Sequence, residues 1–150
     1  MKRMINGFLG LAVVLLSACC TPKMMGGFTK DFIHPGTGYS KAIVITVHHT
    51  KTIYLAGLTG EGTDLAAQTK STYAHIKEEL DSAGATLKDI VKTNTYIVNM
   101  NADKVAIFRS IRKEVLGEKE MPASTLIGVQ ALADSDKMIE IEAVAVVHTK

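Results

Sequence analysis

Residues able to do chemistry are few in this chain, and most of their spacings argue against a reactive centre. Gly57-Leu58-Thr59-Gly60-Glu61-Gly62 is rich in glycine, but its spacing is not that of a phosphate loop and no Lys-Ser/Thr pair follows. His48 and His49 are adjacent, so on a strand they would face opposite ways, and they fall in an expected turn. They read as solvated turn histidines, not as a metal pair. Asp134 and Asp136 have no third ligand nearby, which argues against a calcium loop. His34, His75 and His148 are scattered, and no spacing suggests a Ser-His-Asp arrangement.

The one segment whose chemistry is legible from its own pattern is the N-terminus. Lys2 and Arg3 precede an apolar run from Ile5 to Leu16, then Ser17, Ala18 and Cys19. That is the basic, apolar and small-residue order of an export signal. The run is shorter than the roughly 20 residues needed to span a bilayer. Leu16-Ser17-Ala18-Cys19 resembles a lipobox, in which cleavage precedes the cysteine and a diacylglycerol is placed on its sulfur. The expectation is a signal peptide over residues 1–18, lipid on Cys19, and a tether over residues 19–33 containing Pro22 and the Gly26-Gly27 pair. Cys20 is not an aspartate, which points to the outer membrane, on its periplasmic side, within a bacterial cell envelope. Cys19 and Cys20 are the two cysteines of the chain, so the folded part has no disulfide framework and no cysteine metal site.

Loss of residues 1–18 removes Lys2 and Arg3 and no acid. Lys plus Arg then falls from 17 to 15, against 15 Asp plus Glu. A formally neutral mature chain with no Trp and four Phe is a poor candidate for binding nucleic acid. Roughly 130 mature residues suit one domain and one core.

The periodicities describe the scaffold. Lys41–Val47 and Thr52–Ala56 read as a β-hairpin. After Asp64 as N-cap, Leu65, Thr69, Thr72, Ile76, Leu80 and Ala83 recur at spacings of three and four, and Gly84 ends that helix. Ile90–Val98 is a strand. A second helix carries Val105, Phe108, Ile111 and Val115 on its apolar side and ends at Gly117. Strands at Ser124–Leu132 and Met138–Val147 complete an order β-β-α-β-α-β-β. This is an α+β layer with both helices on one sheet face. In the last strand Ile139, Ile141, Ala143 and Ala145 alternate with Glu140, Glu142, Val144 and Val146. Val144 and Val146 suggest that the second face meets another subunit.

Several segments together resemble the Rid (YjgF-type) family. Pro35 to Ala42 is similar to its "GPYSqA" opening and Ile53 to Gly57 to its "i-i-S-G-q" strand end. Ala83-Gly84 with Asp89 to Thr93, Met121 to Thr125 ("f-P-A-R-S") and Ile139 to Ala145 ("i-E-I-E-a-i-A") follow in order. The resemblance runs from about His34 to the C-terminus, so it implies a Rid-type domain over residues 34–150. It further implies a chorismate-mutase-like fold on a mixed sheet, a homotrimer with a small-molecule cleft between subunits, and hydrolysis of 2-imino acids to 2-keto acids and ammonia without metal or cofactor. Carried over by position, Tyr39, Gly57, Ser124 and Thr125 line the substrate and Glu140 positions the water. Ala56 replaces a serine, and Ser124 replaces the arginine that would fork a substrate carboxylate. Lys119, on the same loop, reads as a solvated lysine and not as its replacement. Three readings follow: an imine or enamine deaminase with an altered substrate, a non-catalytic binding or scavenging trimer, and the endoribonuclease activity of older family names, which the neutral charge disfavours.

Overall fold

The computed structural model describes residues 27–149. Cys19, with the expected signal peptide and most of the expected tether, lies outside them. The elements are β1 (Phe28–Pro35), β2 (Ser40–Val47), β3 (Thr50–Leu58), α1 (Leu65–Ser82), β4 (Ile90–Val98), α2 (Ala102–Leu116), β5 (Ala123–Val129) and β6 (Ile139–His148), with one 3-10 turn at Leu87–Asp89. They build one six-stranded sheet in the order β1-β2-β3-β6-β4-β5. The β4–β5 pair is parallel, with α2 as its crossover, and every other pair is antiparallel. The sheet is therefore mixed, and both helices pack on one of its faces.

Local chemistry explains the elements. Asp64 caps α1 by accepting a hydrogen bond from Ala67 N at 2.8 Å. The expected stripe is buried throughout: Leu65, Thr69, Thr72, Ile76, Leu80 and Ala83. Its two threonines satisfy their hydroxyls on the preceding turn, Thr69 on Leu65 O at 2.6 Å and Thr72 on Gln68 O at 2.7 Å. Asn101 caps α2 through Lys104 N at 2.9 Å. Phe108 and Ile111 are buried beneath α2, and Val115 packs at the margin of the core.

Six strands are found where the periodicities give five. The added strand is β1, which pairs with β2 from Phe28↔Val47 to Pro35↔Ser40. It takes up the end of the expected tether, which therefore stops short of residue 28. FTKDFIHP has no apolar alternation because it is an edge strand whose side chains are mostly exposed. The pairing rests on backbone hydrogen bonds, which leave no mark in side-chain type. One buried group ties β1 to the helix layer. Glu79 of α1 is 3% exposed and binds His34 Nδ1 at 2.6 Å and Lys41 Nζ at 3.3 Å.

The pleat then sorts the side chains. Ala42, Ile53, Leu55, Thr93, Thr95, Ile97, Ile139, Ile141, Ala143 and Ala145 face the helices and are buried. The opposite face is open. One row across it runs Phe32, Ile43, Tyr54, Val144 and Lys92. Tyr54, Ile127 and Val146 remain exposed there.

Candidate functional site

Gly57 and Glu140 meet on the open face. The β3–β6 ladder runs in register to Leu55↔Ala143, shifts, and resumes at Leu58↔Ile141. The irregularity lets the backbone at Gly57 come against the Glu140 side chain. A Cβ at position 57 would sit 2.6 Å from Glu140 Cδ, so any side chain there would have to displace this carboxylate.

Glu140 is in an acidic and partly desolvated place. Burial is the main cause of a proton affinity raised above the ordinary glutamate range, and the charges of Glu142 and Asp134 add to it. The two strand carboxylates have different surroundings. Glu142 Oε2 accepts from Asn94 Nδ2 at 3.0 Å and from Tyr96 OH at 3.4 Å. Glu140 accepts no side-chain hydrogen bond among the described residues. Tyr96 is pushed up from its ordinary value, first by burial, then by Glu142 and Glu140. Glu142 is thus held by neighbours, as a structural role requires, while Glu140 is left free to take a proton. Beside this pair lies a pocket of about 130 Å³ lined by Tyr54, Lys92, Asn94, Glu142 and Val144, among others.

The remaining family positions are not drawn to this pair within one chain. Tyr39 precedes β2 at the end where Ala42 opposes Leu55, so it sits at the Gly57 end of β3. Its carbonyl accepts from Gly36 N at 2.8 Å, and its ring is 62% exposed. Thr125 shares the open face with Asn94 and receives a hydrogen bond from Lys92 Nζ at 2.6 Å. Ser124 faces the other way. It pairs with buried Thr93, whose Oγ1 lies 3.4 Å from Ser124 Oγ, on the helix side of the sheet.

A cation does meet Ser124, and it comes from α2. Arg112 donates from Nη1 to Ser124 Oγ at 3.0 Å. Arg112 is not among the residues that the sequence pattern points to, and Lys119 is the cation nearest Ser124 on its own loop. Lys119 lines a different concavity, with Leu87, Ile90 and Pro122. The available signal was Arg112 lying four residues after buried Phe108, on the same face of α2. Lys92, Asn94 and Tyr96 were also missed, although they alternate along β4 as open-face residues do.

His48 and His49 are exposed in the β2–β3 turn, as read from the sequence. A larger concavity, of about 620 Å³, lies between the C-terminal ends of α1 and α2, away from Glu140.

Comparison with known proteins places these features. The family model described as Endoribonuclease L-PSP matches residues 29–147. A RutC family protein of Pyrococcus abyssi is 34% identical over 126 residues, covering 79% of this chain and 93% of that protein. Among solved structures, Rv2704 of Mycobacterium tuberculosis, a YjgF-family member, has a TM-score of 0.69 at 30% identity, over 79% of this chain and 100% of that one. The Rid-family protein YyfB of Yersinia pestis has a TM-score of 0.62 at 33% identity, over 79% and 98%. The order of elements, the mixed sheet with both helices on one face, and these matches show that the chain belongs to the YjgF (Rid) family, with its chorismate-mutase-like fold.

Proposed function

We propose that this protein is an exported, lipid-anchored member of the family that hydrolyses a small imine or enamine to a carbonyl compound and ammonia, in a cleft shared between copies of a homotrimer. The observation that carries the reading is the Glu140 carboxylate, without a side-chain hydrogen-bond partner among the described residues and seated against side-chain-free backbone at Gly57.

The chemistry asks little of the protein. Glu140 takes a proton from a water as the water oxygen bonds to the electrophilic imine carbon. The proton passes to nitrogen to give an amino alcohol; the hydroxyl proton then follows it to nitrogen, the C–N bond breaks, and ammonia leaves as the carbonyl forms. The sum is one imine plus one water to one carbonyl plus one ammonia, with no redox step. A carboxylate with raised proton affinity suits such a base.

Assembly follows from the split site. Ser124 lies on the β5 edge, while Glu140 lies two strands inward and Gly57 three, on the opposite face. A ring of copies, with the edge of one chain against the open face of the next, would unite them. Exposed Tyr54, Ile127 and Val146 supply the apolar contact such a ring needs.

The test is trapping of the 2-imino acid released by an amino-acid oxidase, alongside an uncharged imine of similar size. Glu140→Gln should lower hydrolysis by about 10²- to 10⁴-fold. Equal rates in both proteins would remove Glu140 from the mechanism. A second reading, a binding or scavenging trimer without catalysis, is favoured by Ser124, since a serine cannot fork a carboxylate as the family arginine does. The anchor has its own test. Mass spectrometry of the mature N-terminus should find diacylglycerol on Cys19, and Cys19→Ser should abolish it. A free Cys19 in the mature protein would end that part of the proposal.

A further inference from the structure

We propose that Arg112 is the anion anchor of this chain: a guanidinium delivered from helix α2, and not from strand β5, holds the carboxylate of a small acidic ligand at Ser124. This rests on the reading of the subunit cleft as the ligand site, and names the residue that sets its specificity.

Four observations support it. Arg112 Nη1 is fixed on Ser124 Oγ at 3.0 Å, and Thr93 Oγ1 lies 3.4 Å from the same oxygen. The guanidinium carbon lies 5.4 Å from the centre of the Phe108 ring, which orients its plane. Arg112 Nε is buried without a hydrogen-bond partner among the described residues. Arg112 also lines a cleft of about 370 Å³, with Arg109, Lys113, Gly117, Glu118 and Met121. Glu118 is engaged by Lys113 at 2.6 Å, so the free positive charge of the cleft comes from Arg109 and Arg112.

The donor count makes the argument. A guanidinium carries five N–H donors, and Ser124 takes one. The Nε–H is buried, so the remaining Nη N–H groups are the ones that can fork onto a carboxylate, which a serine alone cannot do. Serine at 124 is then the complement of arginine at 112. A second guanidinium at 124 would crowd the first with like charge, whereas a short hydroxyl accepts from it and sets its direction. The competing role is a clamp holding α2 to β5, and the experiment must separate the two.

The measurement is calorimetric titration of the full-length chain with 2-oxobutanoate and with uncharged 2-butanone. The wild type should bind the acid better. Arg112→Gln keeps the stem on Phe108 and a donor toward Ser124 but removes the charge. It should weaken 2-oxobutanoate about 10- to 100-fold and leave 2-butanone unchanged. Arg112→Ala combined with Ser124→Arg should recover most of the loss. Retained acid affinity in a folded Arg112→Gln protein overturns the proposal. So does equal loss for both ligands, which is what a clamp gives, and so does a wild type that prefers the ketone. Hydrolysis is scored separately. Acid binding through Arg112 without imine hydrolysis keeps the anchor and sinks the catalytic reading. Hydrolysis whose preference for charged over neutral imines is untouched by Arg112→Gln does the reverse.

Discussion

Gly57 and Glu140 occupy one small volume: a Cβ on residue 57 would lie 2.6 Å from Glu140 Cδ. The β-bulge between Leu55 and Leu58 makes this approach possible, and the glutamate thereby loses part of its water. Backbone irregularity, glycine and a raised carboxylate are one device.

Gly57→Ala should therefore displace the Glu140 side chain while leaving the fold. Overpacking of this kind costs about 1–3 kcal/mol. The variant should melt lower than wild type and lose imine hydrolysis. A melting point and rate equal to wild type would mean that Glu140 moves aside freely and that the contact is incidental.

Glu140→Gln should change the pH dependence of stability. The folded chain raises the proton affinity of Glu140 above its unfolded value, chiefly by burial. Its contribution to stability is therefore fully present in acid, below the unfolded value, and is lost as pH rises through the folded one. Wild type should lose melting temperature relative to the glutamine variant as pH rises across the acidic-to-neutral range. A constant difference across that range would deny the shift.

Glu79→Ala should loosen β1. His34 and Lys41 are half exposed and can turn to water, so the loss is modest, about 1–2 kcal/mol by denaturant unfolding. Hydrogen exchange should quicken across Phe28–Ile33 more than in β3 or β6. Unchanged protection of β1 would show that its ladder with β2 holds it alone.

Val146→Asp should break the assembly. Light scattering is expected to give a trimer for wild type and a smaller species for the variant, because the proposed assembly would bury a charge placed at exposed Val146. A monomeric wild type at micromolar concentration would remove the shared cleft.

Much of the architecture is legible in the sequence because it is written in local chemistry. The stripe from Leu65 to Ala83 is buried as its spacing demands, Asp64 caps as its type demands, and the alternation from Ile139 to Ala145 gives the pleat. The resemblance to the family, and not residue type, singled out Gly57 and Glu140. Tertiary structure decided the rest. Strand β1 is invisible in composition because edge pairing uses only backbone groups. That Ser124 points to the helices while Thr125 points to the open face depends on the parallel register Thr93↔Ser124, which no local pattern fixes. The meeting of Arg112 with Ser124 depends on how α2 lies over β5. A contact between two elements is set by packing geometry, and sequence spacing along either one does not contain it.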